Sequence, residues 1–279
     1  MFDAPAERVT ELAENGYTVV PDALSPEQVD RLSAAMDRAL ERRAGRIREE
    51  PAKRRSQLFG IPALDAELIE PLALPTTLPI VCAFLGWNIY MYHSHLDINR
   101  PLPPGEESTY VWHRDMQSAT YTLPPPLPLL SMKVGYFLTD VTSPDRGSPM
   151  VIPGSHLSTT VERAEDFAQE QPTANPVLAP AGSAVILDSR LWHSVGKNHS
   201  DVTRKVLYYA YAYRWIRPSD PLHLSEEQLA VLSPVQRQLL GAGTTVKGFH
   251  LPRDEDVPLR SVVESGSVTH LTLDAPVTS

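Results

Sequence analysis

The sequence predicts a mainly β protein, an antiparallel sandwich or jelly roll with a helical flank in one domain. Three observations lead there. There are 27 prolines in 279 residues, enough to punctuate the chain into short strands and loops rather than long helices. Helical patterns come first, and near Gly86 the period changes to strand-like alternation. The later strand patterns are short and separated by turn-forming residues. The expected divisions are a helical N-terminal flank over about 1–86, a jelly-roll core over about 87–216, and a C-terminal helix and coil over about 217–279.

Residues 5–15 read as a short helix, apolar at Val9 and Leu12 and stopped by Asn15-Gly16. Tyr17 to Val20 is β-branched and aromatic, the composition of a strand. Ser25-Pro26-Glu27-Gln28 sets out a capping box with proline in the first turn. It opens an amphipathic helix with Val29, Leu32, Met36, Ala39 and Leu40 on one stripe, running to about Arg43. The polar stretch 45–60 is expected to be a mobile loop. Leu64 to Leu85 reads as helical pieces broken by Pro71, Pro75 and Pro79 and closed at Gly86. Asn88 to Asn99 is a continuous strand pattern in which His93, His95 and Asp97 share a face. Further strands are expected at Ser131–Thr139, Met150–Ile152, Ala184–Leu187 and Lys205–Tyr213, the last with four tyrosines. Residues 158–176 read as helix or loop, and Ser225 to Leu240 as one amphipathic helix.

A formal charge of −9 argues against nucleic-acid or anionic-membrane partners and leaves a small molecule as the expected ligand. The single cysteine, Cys82, excludes an internal disulfide and a cysteine-built zinc cluster, and fits a reducing cytoplasm. The N-terminus lacks a basic segment followed by an apolar core, so no signal peptide is expected. No apolar run approaches the roughly 20 residues of a membrane span.

The chemistry concentrates at Trp112-His113-Arg114-Asp115-Met116-Gln117. In an extended backbone, residues two apart point the same way, so His113 and Asp115 present an imidazole and a carboxylate side by side. With a second histidine they would form the two-His-one-carboxylate face used by non-haem Fe(II) oxygenases, which leaves sites open for co-substrate and O2. His193, just beyond the strand Ala184–Leu187, is placed to supply it. Arg204 opens the next strand, and its rigid fork suits the distal carboxylate of a 2-oxo acid such as 2-oxoglutarate. A second His-x-Asp, His95-Leu96-Asp97, and the His93-x-His95 pair read as pocket lining, with His95 and Gln117 as candidate substrate contacts. His156 follows Pro-Gly-Ser at a turn and reads as structural, while Trp112 and Trp192 flank the ligands.

Together these segments resemble the phytanoyl-CoA dioxygenase family of Fe(II)/2-oxoglutarate oxygenases. The resemblance covers most of the chain. It runs from Asn15-Gly16-Tyr17 and Pro21-Asp22-Ala23-Leu24-Ser25, through Ile98-Asn99-Arg100-Pro101 and His113-Arg114-Asp115, to the segment Gly147–His156 and the spacing of His193 and Arg204. It implies a double-stranded β-helix (a jelly roll, cupin-like), with iron held by His113, Asp115 and His193 and the distal 2-oxoglutarate carboxylate held by Arg204. It also implies Arg100 at the co-substrate, where the family has lysine, and Tyr136 as an aromatic lining that pocket. Val195 stands where the family commonly has a hydroxyl, with Ser194 adjacent. The implied reaction oxidises an aliphatic C–H of a small molecule, with O2 consumed and succinate and CO2 released. Asp115 fills the carboxylate position, so the resemblance implies oxygenation and not halogenation. The alternatives are a zinc-type hydrolase using the same three ligands, which leaves Arg204 without a role, and a non-catalytic jelly-roll binding protein.

Overall fold

The computed structural model describes residues 2–42, 46–116, 123–158, 168–220, 222–242 and 246–266. The strands are β1 (Tyr17–Val20), β2 (Ile47–Glu50), β3 (Arg55–Phe59), β4 (Ile89–Asn99), β5 (Ser131–Phe137), β6 (Pro149–Val151), β7 (Asn175–Pro176), β8 (Ala184–Asp188), β9 (His193–Val195) and β10 (Arg204–Tyr213). They form a seven-stranded sheet in the order β1-β8-β5-β10-β4-β3-β2 and a three-stranded sheet in the order β7-β6-β9. Every named pairing is antiparallel. This is the jelly roll that the punctuated strand pattern predicts.

Strand alternation sorts the core into two layers. On β10, Leu207, Tyr209 and Tyr211 face the helices, whereas Val206 and Tyr208 lie between the two sheets. The helical layer comprises α1 (Ala6–Asn15), α2 (Pro26–Arg42), α3 (Leu78–Leu85) and short 3-10 turns, all on one face of the large sheet. Here the tyrosines' polar ends are satisfied: Tyr209 and Tyr211 donate to the carbonyls of Leu68 and Leu72, each at 2.9 Å. The capping box at the head of α2 forms as read, with the Gln28 amide donating to Ser25 Oγ and the Ser25 amide to Gln28 Oε1. Gly16 ends α1 at φ +79°, and a Cβ there would lie 2.6 Å from His156 Nδ1. The His156 Nε2 donates to the Ala13 carbonyl, which makes this histidine structural, as expected.

Two expectations fail. Of the stretch 45–60, residues 46–60 are not a mobile loop: β2 and β3 form a hairpin that pairs with β4 and extends the large sheet. The polar composition misled because β3 turns Arg55, Gln57 and Phe59 toward a cavity while Ser56 and Leu58 are buried on its other face. The helical flank over 1–86 therefore also contributes strands β1, β2 and β3. Ser225 to Leu240 is not one helix but two, α4 (Glu226–Ala230) and α5 (Pro234–Leu239). Ser233 builds a fresh capping box with Gln236, and Pro234 occupies the first turn, so the chain restarts there. A further helix, α6 (Leu259–Ser265), packs nearby. Of the segment 158–176, residues 159–167 lie outside the described residues, and β7 occupies its end.

Candidate active site

Two of the predicted ligands are brought together by main chain alone. His113 and His193 form an isolated antiparallel bridge, each amide donating to the other's carbonyl at 3.0 Å. Their ring centroids consequently lie 4.3 Å apart. Each Nδ1 sits 2.9 Å from the carbonyl two residues earlier, Val111 for His113 and Leu191 for His193. A carbonyl only accepts, so each Nδ1 carries the proton and each Nε2 keeps a bare lone pair. Both Nε2 atoms point at Asp115 Oδ1, at 3.9 Å from His113 and 3.7 Å from His193. The extended stretch assumed for His113-x-Asp115 is shorter than expected: Asp115 and Met116 already turn, with Met116 at φ 56°.

The carboxylate is oriented from the opposite side. Lys133, on β5, places Nζ 2.6 Å from Asp115 Oδ2, which leaves Oδ1 toward the histidines. Burial alone would raise the Asp115 carboxyl pKa, but Lys133, His193 and His113 outweigh it and hold the group below the usual carboxylate range. Burial, with His113 alongside, pushes His193 down to about 3. His113 is also lowered, chiefly by desolvation. At neutral pH the three groups are thus two neutral imidazoles and one anion, with one ligand atom from each within 4.8 Å of the others. That donor set fits Fe(II), and its three atoms occupy a single face.

The triad opens into a cavity of about 570 Å³. The wall away from the triad is the β2–β3 hairpin with His93 and His95 of β4, and Tyr208 also lines it. The ring of Tyr208 crosses β5 at Gly135, where a Cβ would meet Tyr208 Cε1 at 2.4 Å. Ser194 Oγ accepts from the Val111 amide at 2.9 Å, on the rim beside Val195.

The other predicted residues divide. Arg204 is buried and is not among the residues that line the cavity; its Nη2 donates to Asp97 Oδ1 at 3.0 Å, the Tyr208 phenol lies within side-chain hydrogen-bonding reach of the guanidinium, and Nε and Nη1 make no hydrogen bond of regular geometry. Such an orphaned half-fork fits a further carboxylate. Asp97 does not line the cavity; it is wedged between Arg204 and Arg55, whose Nε donates to it at 3.0 Å. Burial raises its pKa, yet Arg55 and Arg204 hold it low. Arg100 donates from Nη1 to Ser56 Oγ at 2.7 Å and, like Arg204, does not line the cavity. Tyr136 is misplaced by the resemblance. It shares the β5 face of Met132 and Val134, packs with the helices and donates to the Pro71 carbonyl at 2.9 Å. The cavity faces Lys133, three residues away and therefore on the opposite face of the strand. His95 lines the cavity as expected, and Gln117 lies outside the described residues. Trp112 and Trp192 cluster with Tyr110 and Met150 beside the triad. Lys133 and Arg55 were not assigned their places by sequence reasoning. A lone charge in the otherwise uncharged run Ser131–Phe137 is the signal for the first.

The sequence profile described as phytanoyl-CoA dioxygenase (PhyH) matches residues 12–206. The chain belongs to the phytanoyl-CoA dioxygenase family. It is 32% identical over 264 residues to the protein named dioxygenase af480 of Aspergillus fumigatus, spanning 89% of this chain and 80% of that one. To the ectoine dioxygenase of Nocardia farcinica it is 24% identical over 236 residues, spanning 74% and 77% of the two chains. Among solved structures, HygX of Streptomyces hygroscopicus, with nickel, 2-oxoglutarate and hygromycin B bound, matches with a TM-score of 0.64 at 17% identity, covering 78% of this chain and 91% of that one. The carbocyclase SnoK from nogalamycin biosynthesis matches with a TM-score of 0.61 at 23% identity, covering 82% and 92%. Those structures share the fold. Like its family, the chain is an Fe(II)/2-oxoglutarate-dependent dioxygenase, with O2 as oxidant. Among the described residues no single helix is long and apolar enough to cross a membrane.

Proposed function

We propose that this family member oxidises an aliphatic C–H of a small specialised metabolite held in the cavity between the triad and the β2–β3 hairpin, all 279 residues serving one catalytic domain. The observation that carries the reading is the convergence of His113 Nε2, His193 Nε2 and Asp115 Oδ1, each with its remaining polar atom tied away from the shared point. In this reading these three hold iron. Bound iron with 2-oxoglutarate supplies the oxidising power, and the protein supplies position and a shielded pocket. The backbone carbonyls of Val111 and Leu191 fix the imidazole tautomers, and Lys133 fixes which carboxylate oxygen is offered. Arg204 holds the distal carboxylate of 2-oxoglutarate through Nε and Nη1. A hydrolytic zinc site would leave that buried half-fork unexplained. The lone buried cysteine and the net charge of −9 support a cytoplasmic enzyme without nucleic-acid or membrane partners.

The test is anaerobic titration with Fe(II) and 2-oxoglutarate, followed by the weak visible charge-transfer band of the complex. The band should form with the wild type and be absent in His113→Ala, Asp115→Ala and His193→Ala. A band that survives in Asp115→Ala and disappears in His95→Ala would move the metal to the other motif.

A further inference from the structure

The β2–β3 hairpin gives the cavity a charged wall that iron binding does not use. The chain as a whole carries −9, yet Arg46, Arg48, Lys53 and Arg55 of the hairpin line the cavity against a single hairpin carboxylate, Glu50. Across the cavity Lys133 and Asp115 cancel each other, and Fe(II) with the 2-oxoglutarate dianion would add as much negative charge as positive. Two further acids lie behind the wall. Asp97 is shared by Arg55 and Arg204, and Asp220 takes Arg46, whose guanidinium lies over the Phe59 ring at 4.4 Å. Glu49 is on the opposite face of β2 and accepts from Ser56 Oγ at 2.6 Å.

Glu50 is therefore outnumbered, and its geometry makes it an organiser of the cations rather than their full complement. Its Oε2 accepts from Lys53 Nζ at 2.8 Å, its Oε1 lies 2.9 Å from Arg48 Nη2, and Arg55 Nη1 stands 3.9 Å from Oε2. Burial alone would raise the Glu50 carboxyl, but Lys53, Arg55 and Arg48 outweigh it and hold the group below its ordinary range. One carboxylate thus orders Arg48 and Lys53 together and leaves one positive charge over between them. Register adds a neutral donor beside them: Gln57 on β3 is directly opposite Arg48 and also lines the cavity. The Arg48 side chain keeps 63% of its surface exposed, which leaves room for a second partner on its five-donor fork.

We propose that Arg48, Lys53 and Gln57 form an oxyanion subsite: the molecule this dioxygenase oxidises carries an acidic group, a carboxylate or a phosphate, that docks on the hairpin while its reacting carbon faces the triad. The proposal rests on the cavity being the substrate site. Arg48 brings a planar fork that matches two oxygens at once, Lys53 a point charge, and the Gln57 amide a neutral N–H. Glu50 is a positioning residue, holding both cations at the wall. A cationic substrate would meet like charge there.

The experiment loads the protein with Zn(II) and enough 2-oxoglutarate to fill the proposed metal site, so that no turnover occurs, and titrates benzoate, phenyl phosphate and benzamide by ligand-detected NMR. Benzoate and benzamide share a shape and differ in charge. The better of the two anions should bind the wild type about tenfold more tightly than benzamide, and which anion that is names the acidic group. In Arg48→Gln, and likewise in Lys53→Gln, the preference should fall to about threefold or less. Arg31→Gln removes a charge from α2 that does not line the cavity, and the preference should survive it. An equal loss in Arg31→Gln would reduce the effect to net charge and sink the subsite. Equal affinity for the three probes in the wild type, binding of none of them, or a preference unchanged in both Arg48→Gln and Lys53→Gln overturns the proposal. The Fe(II)/2-oxoglutarate band of the wild type is measured in parallel. Its absence would instead sink the iron assignment, and the anion-to-benzamide ratio, read on metal-free protein too, would still decide this subsite.

Discussion

Replacing Arg204 tests the co-substrate assignment most sharply, because the proposed function gives this residue two jobs that can be separated. Its Nη2 neutralises Asp97, and its Nε and Nη1 are the buried atoms left for 2-oxoglutarate. Truncating one partner of a buried, hydrogen-bonded charge pair costs on the order of 2–5 kcal/mol. At about 1.4 kcal/mol per decade, Arg204→Ala should weaken 2-oxoglutarate binding between roughly thirtyfold and three-thousandfold. Arg204→Lys should recover only part, since a point charge survives but the planar fork is lost. Arg204→Ala also leaves Asp97 with Arg55 as its remaining neutralising arginine, so its melting temperature should fall, and affinities must be measured where the variant is folded. The reciprocal change, Asp97→Asn, leaves the buried Arg204 and the half-buried Arg55 short of an anion. It should destabilise the free protein, and 2-oxoglutarate should restore more stability to it than to the wild type. Anaerobic calorimetric titration of Fe(II) alone and then of 2-oxoglutarate reads both effects, with Fe(II) affinity nearly unchanged throughout. Equal 2-oxoglutarate affinity in wild type and Arg204→Ala would refute the reasoning and pass the role to Arg55, whose guanidinium lines the cavity.

Alanine at His113, Asp115 or His193 should abolish 2-oxoglutarate turnover, measured as succinate release, while circular dichroism shows the fold retained. Gly135→Ala places a Cβ against Tyr208 and should cost about 1–3 kcal/mol by overpacking, read from the denaturation midpoint; an unchanged midpoint would mean that Tyr208 moves freely. Acid should destabilise the metal-free protein. Burial depresses His193 to about 3, so between there and the ordinary value near 6.5 the unfolded chain binds the extra proton and stability falls as pH falls. Asp115 and Asp97, both held low, add a further loss below about 4, and urea titrations at stepped pH would show both. Products formed at ordinary chloride concentration should be oxygenated and not chlorinated, because Asp115 occupies the position that a halide would need; mass spectrometry decides this.

The residues that declare themselves in the sequence are those whose chemistry is rare in its surroundings. His113 and His193 each follow a tryptophan, at an isolated bridge and at the start of β9, with Asp115 in the turn just after His113, and the capping box at Ser25 marks its helix outright. What stayed hidden depended on pairing. Nothing local says that a polar run becomes β3 until β4 is beside it, because the charge on Arg55 is satisfied by Asp97 across the sheet. Tyr136 and Lys133 differ by a single-residue parity, and only the register of β5 against β8 and β10 tells which face is the cavity's. The break at Ser233-Pro234 was legible, since a cap followed by proline repeats the signal at Ser25-Pro26, yet an unbroken apolar stripe disguised it.

The β2–β3 hairpin sits at the outer end of the large sheet, with β2 as its last strand. The proposed iron ligands hang instead on the bridge between His113 and His193, at the junction with the small sheet. In the proposed function, one part of the molecule would do the oxidising while a peripheral flap of two strands, which lines the cavity, would do much of the choosing. Side chains on that flap can be exchanged, or its turn lengthened, without moving a ligand atom. Relatives that attack different molecules with one oxidant are the expected outcome of that division of labour, and shuffling this hairpin is the natural place to begin retargeting the enzyme.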